Sequence, residues 1–166
     1  MKEKFYVFLD IDGVLWDWDV LDEMGQSTSP NGSCIDLFCK SSVEALQFLC
    51  DELQKQYEID LVITSSGWDK LNELVPLLHR HGFAFPKETH TTRFIDRKRT
   101  LEIQDYLQDK KNAQNYVIVD DETIDIKEHF NCEQIITTNI FHNCLKKSQV
   151  ETFLNNWVEK QEEPSR

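Results

Sequence analysis

The sequence is poor in the residues that build fibrous, disulfide-stapled and membrane proteins. Its 166 residues include 5 Gly and 4 Pro, which excludes collagen-like and Pro/Gly-rich disordered classes. No apolar run approaches the ~20 residues of a membrane span. The opening MKEKFYVFLD is interrupted at Asp10, before the ~7–15 apolar residues of a secretory signal are reached. The 5 cysteines are odd in number and form no CxxC pair, so free thiols in a reducing compartment are expected. His129, Cys132, His142 and Cys144 carry the residue types of a zinc site, but their spacing matches no standard zinc module. Together these absences predict a soluble, cytoplasmic protein.

Bases are scarce as well. Eighteen Lys and Arg stand against 30 Asp and Glu, a net charge of −12 and a pI near 4.8. Non-specific binding to DNA, or to an anionic membrane, is therefore not expected. One segment differs. Residues 87–111 hold seven bases and five acids, leaving a local basic patch inside an acidic chain.

What is present is an alternation of element types. Phe5–Leu9, Ile59–Ile63, Tyr116–Val119 and Gln134–Ile136 with Thr137 are short, β-branched or aromatic runs without clean alternation. They read as strands covered on both faces, as in a parallel sheet. Helical spacing marks Ser41 or Ser42 to about Gln56, Trp68–His81, Thr100–Leu107 and Val150–Val158, with a short helix at Ile124–Phe130. Pro76 is expected to kink or split the second of these. The order predicts one α/β domain over residues 1–159, a three-layer α/β/α sandwich with a mainly parallel, Rossmann-like sheet. Residues 160–166 read as a tail. Residues 16–40 read as a long loop, too short for a full cap domain.

Ligands in such folds bind outside the carboxyl ends of the strands. The first strand ends in Asp10-Ile11-Asp12-Gly13, where two acids need a cation or a proton to offset them. Gly13 permits the sharp turn. The second strand ends in Thr64-Ser65-Ser66-Gly67, which places hydroxyls at a helix start. Arg97-Lys98-Arg99 opens the third helix, and Asp120-Asp121 with Asp125 ends the next strand. Oxygen ligands for a hard cation and donors for phosphate are the inventory of Mg²⁺-assisted phosphoryl transfer.

FLDIDGVL, LVITSS, Lys98 at a helix start and VIVDDETID resemble, in order, the four motifs of the haloacid dehalogenase (HAD) superfamily. The ITSSGW stretch and the K/R-x-x-E-I-x-x-Y-L helix are similar to the HAD domain of Swiss-army-knife RNA repair proteins. DIDGVLWDW also resembles the deoxyribonucleotidases. The resemblance implies that Asp10 is the nucleophile and forms an aspartyl phosphate. Asp12 is then the general acid and base, Thr64 holds a phosphoryl oxygen, and Lys98 offsets negative charge. Asp10, the Asp12 carbonyl and Asp121 would ligate Mg²⁺. Asp120 and Asp125 would orient Lys98 or metal-bound water, although Asp125 also fits a plain first-turn acid. Three consecutive bases compete for the cation's place. Ser65, Arg97, Trp16 and Trp18 are candidate substrate contacts, with the two tryptophans available for stacking. The function expected is a Mg²⁺-dependent phosphomonoesterase acting on a nucleotide, a nucleic-acid end or a small molecule. The alternatives are a deoxynucleotidase-like phosphatase and a non-catalytic HAD-fold binding module.

Overall fold

The computed structural model describes residues 2–16, 38–64, 71–96, 98–142 and 144–162. Trp18, Ser65, Arg97 and most of the 16–40 segment lie outside them. In chain order the elements are β1 (Lys4–Leu9), α1 (Lys40–Gln54), β2 (Glu58–Ile63), α2 (Leu71–Arg80), β3 (Glu88–Thr91), α3 (Arg99–Leu107), β4 (Tyr116–Asp120), α4 (Ile124–His129), a 3₁₀ turn at Cys132–Gln134, β5 (Ile135–Thr137) and α5 (Lys147–Glu162). The five strands pair in parallel in the order β3-β2-β1-β4-β5. This is the α/β sheet the alternation predicts.

The two faces of β1 meet different helices, because successive side chains point to opposite sides of a sheet. Phe5, Val7 and Leu9 pack in a core with Leu46 of α1, Leu74 and Leu78 of α2, and Phe153 and Trp157 of α5. Tyr6 and Phe8 pack in a second core with Ile103 and Leu107 of α3 and Ile126 of α4. Val7, Phe8 and Leu9 are fully buried. Each such side chain contributes roughly 1.5–3 kcal/mol of transfer free energy. The apolar central strand thus anchors both layers.

The register positions the site. Leu9 pairs with Ile63 on one side and with Val119 on the other. Asp10, Thr64 and Asp120 are therefore neighbours in the next row. Backbone bonds continue that row, with Asp10 N–H donating to Val119 O at 3.0 Å and Thr64 N–H donating to Leu9 O at 2.9 Å. By the period of two, these residues fall on the face of Phe8, Val62 and Ile118, which is the α3 face.

Several boundaries differ from the sequence reading. β3 (ETHT) has no apolar run, and all four residues are only half-buried. It is an edge strand beside β2, so one neighbour and partial solvation suffice. α1 starts earlier than the serines suggest, since its N-cap is Cys39. Pro76 lies inside α2, which continues to Arg80. The last helix runs on through Glu162, taking in residues 160–162 that read as tail. No helix among the described residues is long and apolar enough to cross a membrane.

Candidate active site

After Asp10 the chain turns tightly. Val14 N–H and Leu15 N–H both donate to Ile11 O, at 3.2 and 2.9 Å. Gly13 makes that turn at φ 72°, a left-handed conformation that L side chains rarely adopt. It also leaves room for Asp121. A Cβ at position 13 would lie 2.6 Å from Asp121 Cγ and 2.6 Å from its Oδ2. Gly13→Ala therefore combines backbone strain with displacement of the Asp121 carboxylate. The expected result is a destabilisation of about 1–2 kcal/mol or more in urea unfolding. A variant as stable as the wild type would show that the loop and Asp121 move apart freely.

Carboxylates converge above the sheet. Asp10, Asp120 and Asp121 each offer an oxygen, and these atoms lie within 4.8 Å of one another. Asp10 and Asp120 are buried, and Asp121 is half-buried. Burial, followed by repulsion from Asp10, raises the pKa of both aspartates of the pair, Asp121 to about 6. Asp120 Oδ1 accepts from Glu122 N–H at 2.8 Å, while its buried Oδ2 has no hydrogen-bond partner. Hard oxygen donors crowded on one point, with one oxygen orphaned, fit a divalent cation such as Mg²⁺. Asp125 is exposed in the first turn of α4 and does not belong to this group.

Among the described residues the cation that reaches these carboxylates is Arg99, where the sequence reading expected Lys98. Arg99 Nη1 donates to Asp10 Oδ1 at 3.2 Å and to Thr64 Oγ1 at 3.0 Å, and lies 3.6 Å from Asp120 Oδ2. Burial works against the guanidinium's charge, but Asp10 and Asp120 outweigh it and raise its pKa. The reason for the shift by one residue is where the helix begins. Arg99 is the first helical residue, whereas Lys98 is the extended N-cap at φ −101° and ψ 92°, with an exposed side chain. One step around a helix start turns a side chain by about 100°. Glu102 fixes the approach to α3 by accepting from Ile95 N–H at 3.1 Å.

Asp12 is half-buried, and its Oδ1 accepts from the Trp16 indole N–H at 2.8 Å. Trp16 thus holds the second aspartate, a contact that its expected stacking role did not anticipate. Nothing in the sequence distinguishes the two uses of an indole four residues away. Beside the carboxylates opens a cavity of about 900 Å³ whose lining includes Lys98, Arg99, Leu101, Asp121, Ile124 and Thr138. Ile124 is 81% exposed there. Cys144, one of the four residues that carry the types of a zinc site, accepts a hydrogen bond from Ser42 Oγ at 3.0 Å.

No curated protein and no solved structure matches the chain. The family model described as the HAD domain in Swiss Army Knife RNA repair proteins matches residues 6–150. That span runs from β1 into the first turn of α5 and takes in every residue of the site just described. With a parallel α/β sheet, strand-end aspartates on adjacent strands and this match, the chain belongs to the HAD domain family of Swiss Army Knife RNA repair proteins.

Proposed function

We propose that this HAD domain is a Mg²⁺-dependent phosphomonoesterase acting on phosphorylated nucleic-acid ends. One observation carries the reading: a buried strand-end carboxylate, Asp10, shares a single guanidinium with the Thr64 hydroxyl, at 3.2 and 3.0 Å. A phosphoryl group placed above Asp10 would find a nucleophile below it and donors beside it.

In this reading Asp10 attacks phosphorus and carries the phosphoryl group as a mixed anhydride. Asp12, held by Trp16, gives its proton to the leaving oxygen and then takes one from the water that hydrolyses the anhydride. Thr64 and Arg99 orient the phosphoryl oxygens and offset their charge. Asp10, the Asp12 carbonyl and Asp121 would hold Mg²⁺, with Asp120 in support. When bound, that ion supplies charge neutralisation between carboxylates and phosphate. The open cavity beside Arg99 suits a large leaving group, and the RNA repair proteins of the family name favour a polynucleotide over a small metabolite. Ser65, Arg97 and Trp18 remain candidate substrate contacts.

A release assay tests this directly. It compares 5′- and 3′-phosphorylated oligonucleotides, mononucleotides, sugar phosphates and phosphopeptides, each with Mg²⁺ or with EDTA. Oligonucleotide ends are expected to turn over fastest, and only with Mg²⁺. A preference for deoxymononucleotides would favour the small-molecule alternative. Turnover of no substrate would leave a binding module.

The metal half of the reading has its own measurement. An ion that binds the folded carboxylates and not the unfolded chain stabilises by mass action, about 2.7 kcal/mol at 100 times its Kd. Mg²⁺ is therefore expected to raise the melting temperature of the wild type. Asp121→Ala is expected to lose most of that rise. An equal rise in both proteins would place the ion elsewhere.

A further inference from the structure

Two of the cysteines stand together behind the candidate active site, in a setting that the proposed phosphatase chemistry does not use. Cys39 is the N-cap of α1, a 15-residue helix. Its Sγ lies 3.0 Å from Ser41 Oγ. The side chains of Cys144 and Ser42 are its other polar neighbours. Ser42 Oγ in turn donates to Cys144 Sγ at 3.0 Å. The adjacent hydroxyls of Ser41 and Ser42 thus bring together two cysteines that lie 105 positions apart in the sequence.

The two thiols differ in access. Cys39 is half-exposed and Cys144 is buried, and neither is in a disulfide. The hydrogen bond from Cys144, followed by those from the serines, holds the Cys39 thiol down at about 4 against its burial. The helix N-terminus acts in the same direction. The remaining described cysteines lack this setting. Cys50 is buried, and burial pushes its thiol up to about 12. Cys132 is exposed, in the 3₁₀ turn far along the chain.

We propose that Cys39 and Cys144 form a peroxide-responsive dithiol, in which a hydroperoxide oxidises Cys39 and Cys144 resolves it into a disulfide. The Cys39 thiolate attacks one peroxide oxygen and the O–O bond breaks. The sulfur becomes a sulfenic acid, and the departing hydroxide recombines with the proton that Cys39 gave up on ionising. The Cys144 thiol then attacks the sulfenic sulfur. The S–O bond breaks, water leaves with the thiol proton, and the S–S bond forms. Two thiols lose two electrons, and hydrogen peroxide is reduced to two waters. The arrangement fits this division of labour. The accessible, ionised sulfur meets the oxidant, and the buried one needs no access to solvent because its partner is a neighbour.

The location gives the bond a mechanical consequence. Cys39 N–H donates to Leu15 O, and Leu145 N–H donates to Val14 O, each at 2.8 Å. Both cysteine segments thus brace the turn that carries Asp12 and Gly13. A disulfide would fasten the two braces to each other.

The test needs no enzymatic activity, so it stands apart from the phosphatase reading. The reduced full chain is treated with a few equivalents of hydrogen peroxide, then analysed by thiol titration, intact mass and non-reducing peptide mapping. Free thiols are expected to fall from 5 to 3, with a mass loss of about two hydrogens and one linked peptide pair containing Cys39 and Cys144. In Cys144→Ser, the linked pair is expected to vanish and Cys39 to be captured as a sulfenic acid by a 1,3-dione. In Cys39→Ser, peroxide consumption is expected to slow at least tenfold. A link through Cys34 or Cys132, a wild type that stays reduced, or Cys39 passing to sulfinic acid beside a free Cys144 would each overturn the proposal.

Discussion

Asp10→Asn is expected to abolish phosphate release while leaving the protein as stable as the wild type, or slightly more so. The two halves of this result have one cause. Asp10 sits within 4.8 Å of the ligand oxygens of Asp120 and Asp121, and its charge raises the pKa of both. Replacing it by an isosteric amide removes a repulsion that the folded protein carries and the unfolded chain does not. Arg99 keeps Asp120 as a partner at 3.6 Å, so the guanidinium is not left alone in a buried place. The expected gain is at most about 1 kcal/mol, the usual scale of a partly screened charge pair. Turnover responds quite differently, because an amide cannot form an acyl phosphate. A loss of about 10⁴-fold or more is expected, in line with removal of a covalent nucleophile elsewhere. Beryllofluoride with Mg²⁺ is expected to raise the melting temperature of the wild type and not of the variant. A stable Asp10→Asn protein that still releases phosphate at a comparable rate would eliminate the covalent route.

The fold was legible because its signal is carried by burial. FYVFL, IDLVI and YVIV are, Asp60 apart, apolar on both faces, as a central parallel strand requires, and they became β1, β2 and β4. β3 was invisible for the opposite reason. Glu88, Thr89, His90 and Thr91 pair with β2 at the sheet edge and keep part of their surface in solvent, so no apolar pattern was needed. Helix starts were less legible than helix interiors. The serines after Cys39 looked like caps, yet the N-cap is the cysteine, and its side chain makes no capping bond.

In the site, the strand-end acids and Thr64 were readable from position alone. A residue that follows a buried strand, on the row set by Leu9, Ile63 and Val119, has nowhere else to be. The cation was not readable, since a run of three bases gives the charge and not the direction. Direction depends on which residue first takes helical geometry, and the backbone decides that through Ile95 and Glu102 rather than through the bases. The contact of Trp16 with Asp12 was unreadable on similar grounds. Its distance of four residues from Asp12 allows a hydrogen bond only if the chain turns at Gly13, and the turn is a tertiary outcome.

Arg99 therefore carries the second large prediction. Arg99→Ala is expected to lower turnover at saturating Mg²⁺ by about 100-fold or more, which is close to 2.7 kcal/mol, the scale of one lost transition-state donor. Lys98→Ala is expected to stay within about threefold, because its exposed side chain lines the cavity without reaching Asp10. Stability separates the roles further. Arg99 is the guanidinium that Asp10 and Asp120 share, so Arg99→Ala leaves crowded carboxylates without it and is expected to destabilise the metal-free protein. Mg²⁺ supplies positive charge at the same point and is expected to restore most of that stability, but not the turnover. The guanidinium also donates to Thr64 at 3.0 Å, and no ion bound to carboxylates replaces a donor there. Arg99→Lys keeps the charge with a single point of donation, so a partial recovery of turnover is expected. Measuring kcat and melting temperature for the three variants, with and without Mg²⁺, decides the matter. If Mg²⁺ rescues the turnover of Arg99→Ala along with its stability, Arg99 only relieves carboxylate crowding. If Lys98→Ala is the crippled variant, the charge that meets the phosphoryl group comes from the N-cap residue, and the contacts of Arg99 belong to the resting protein alone.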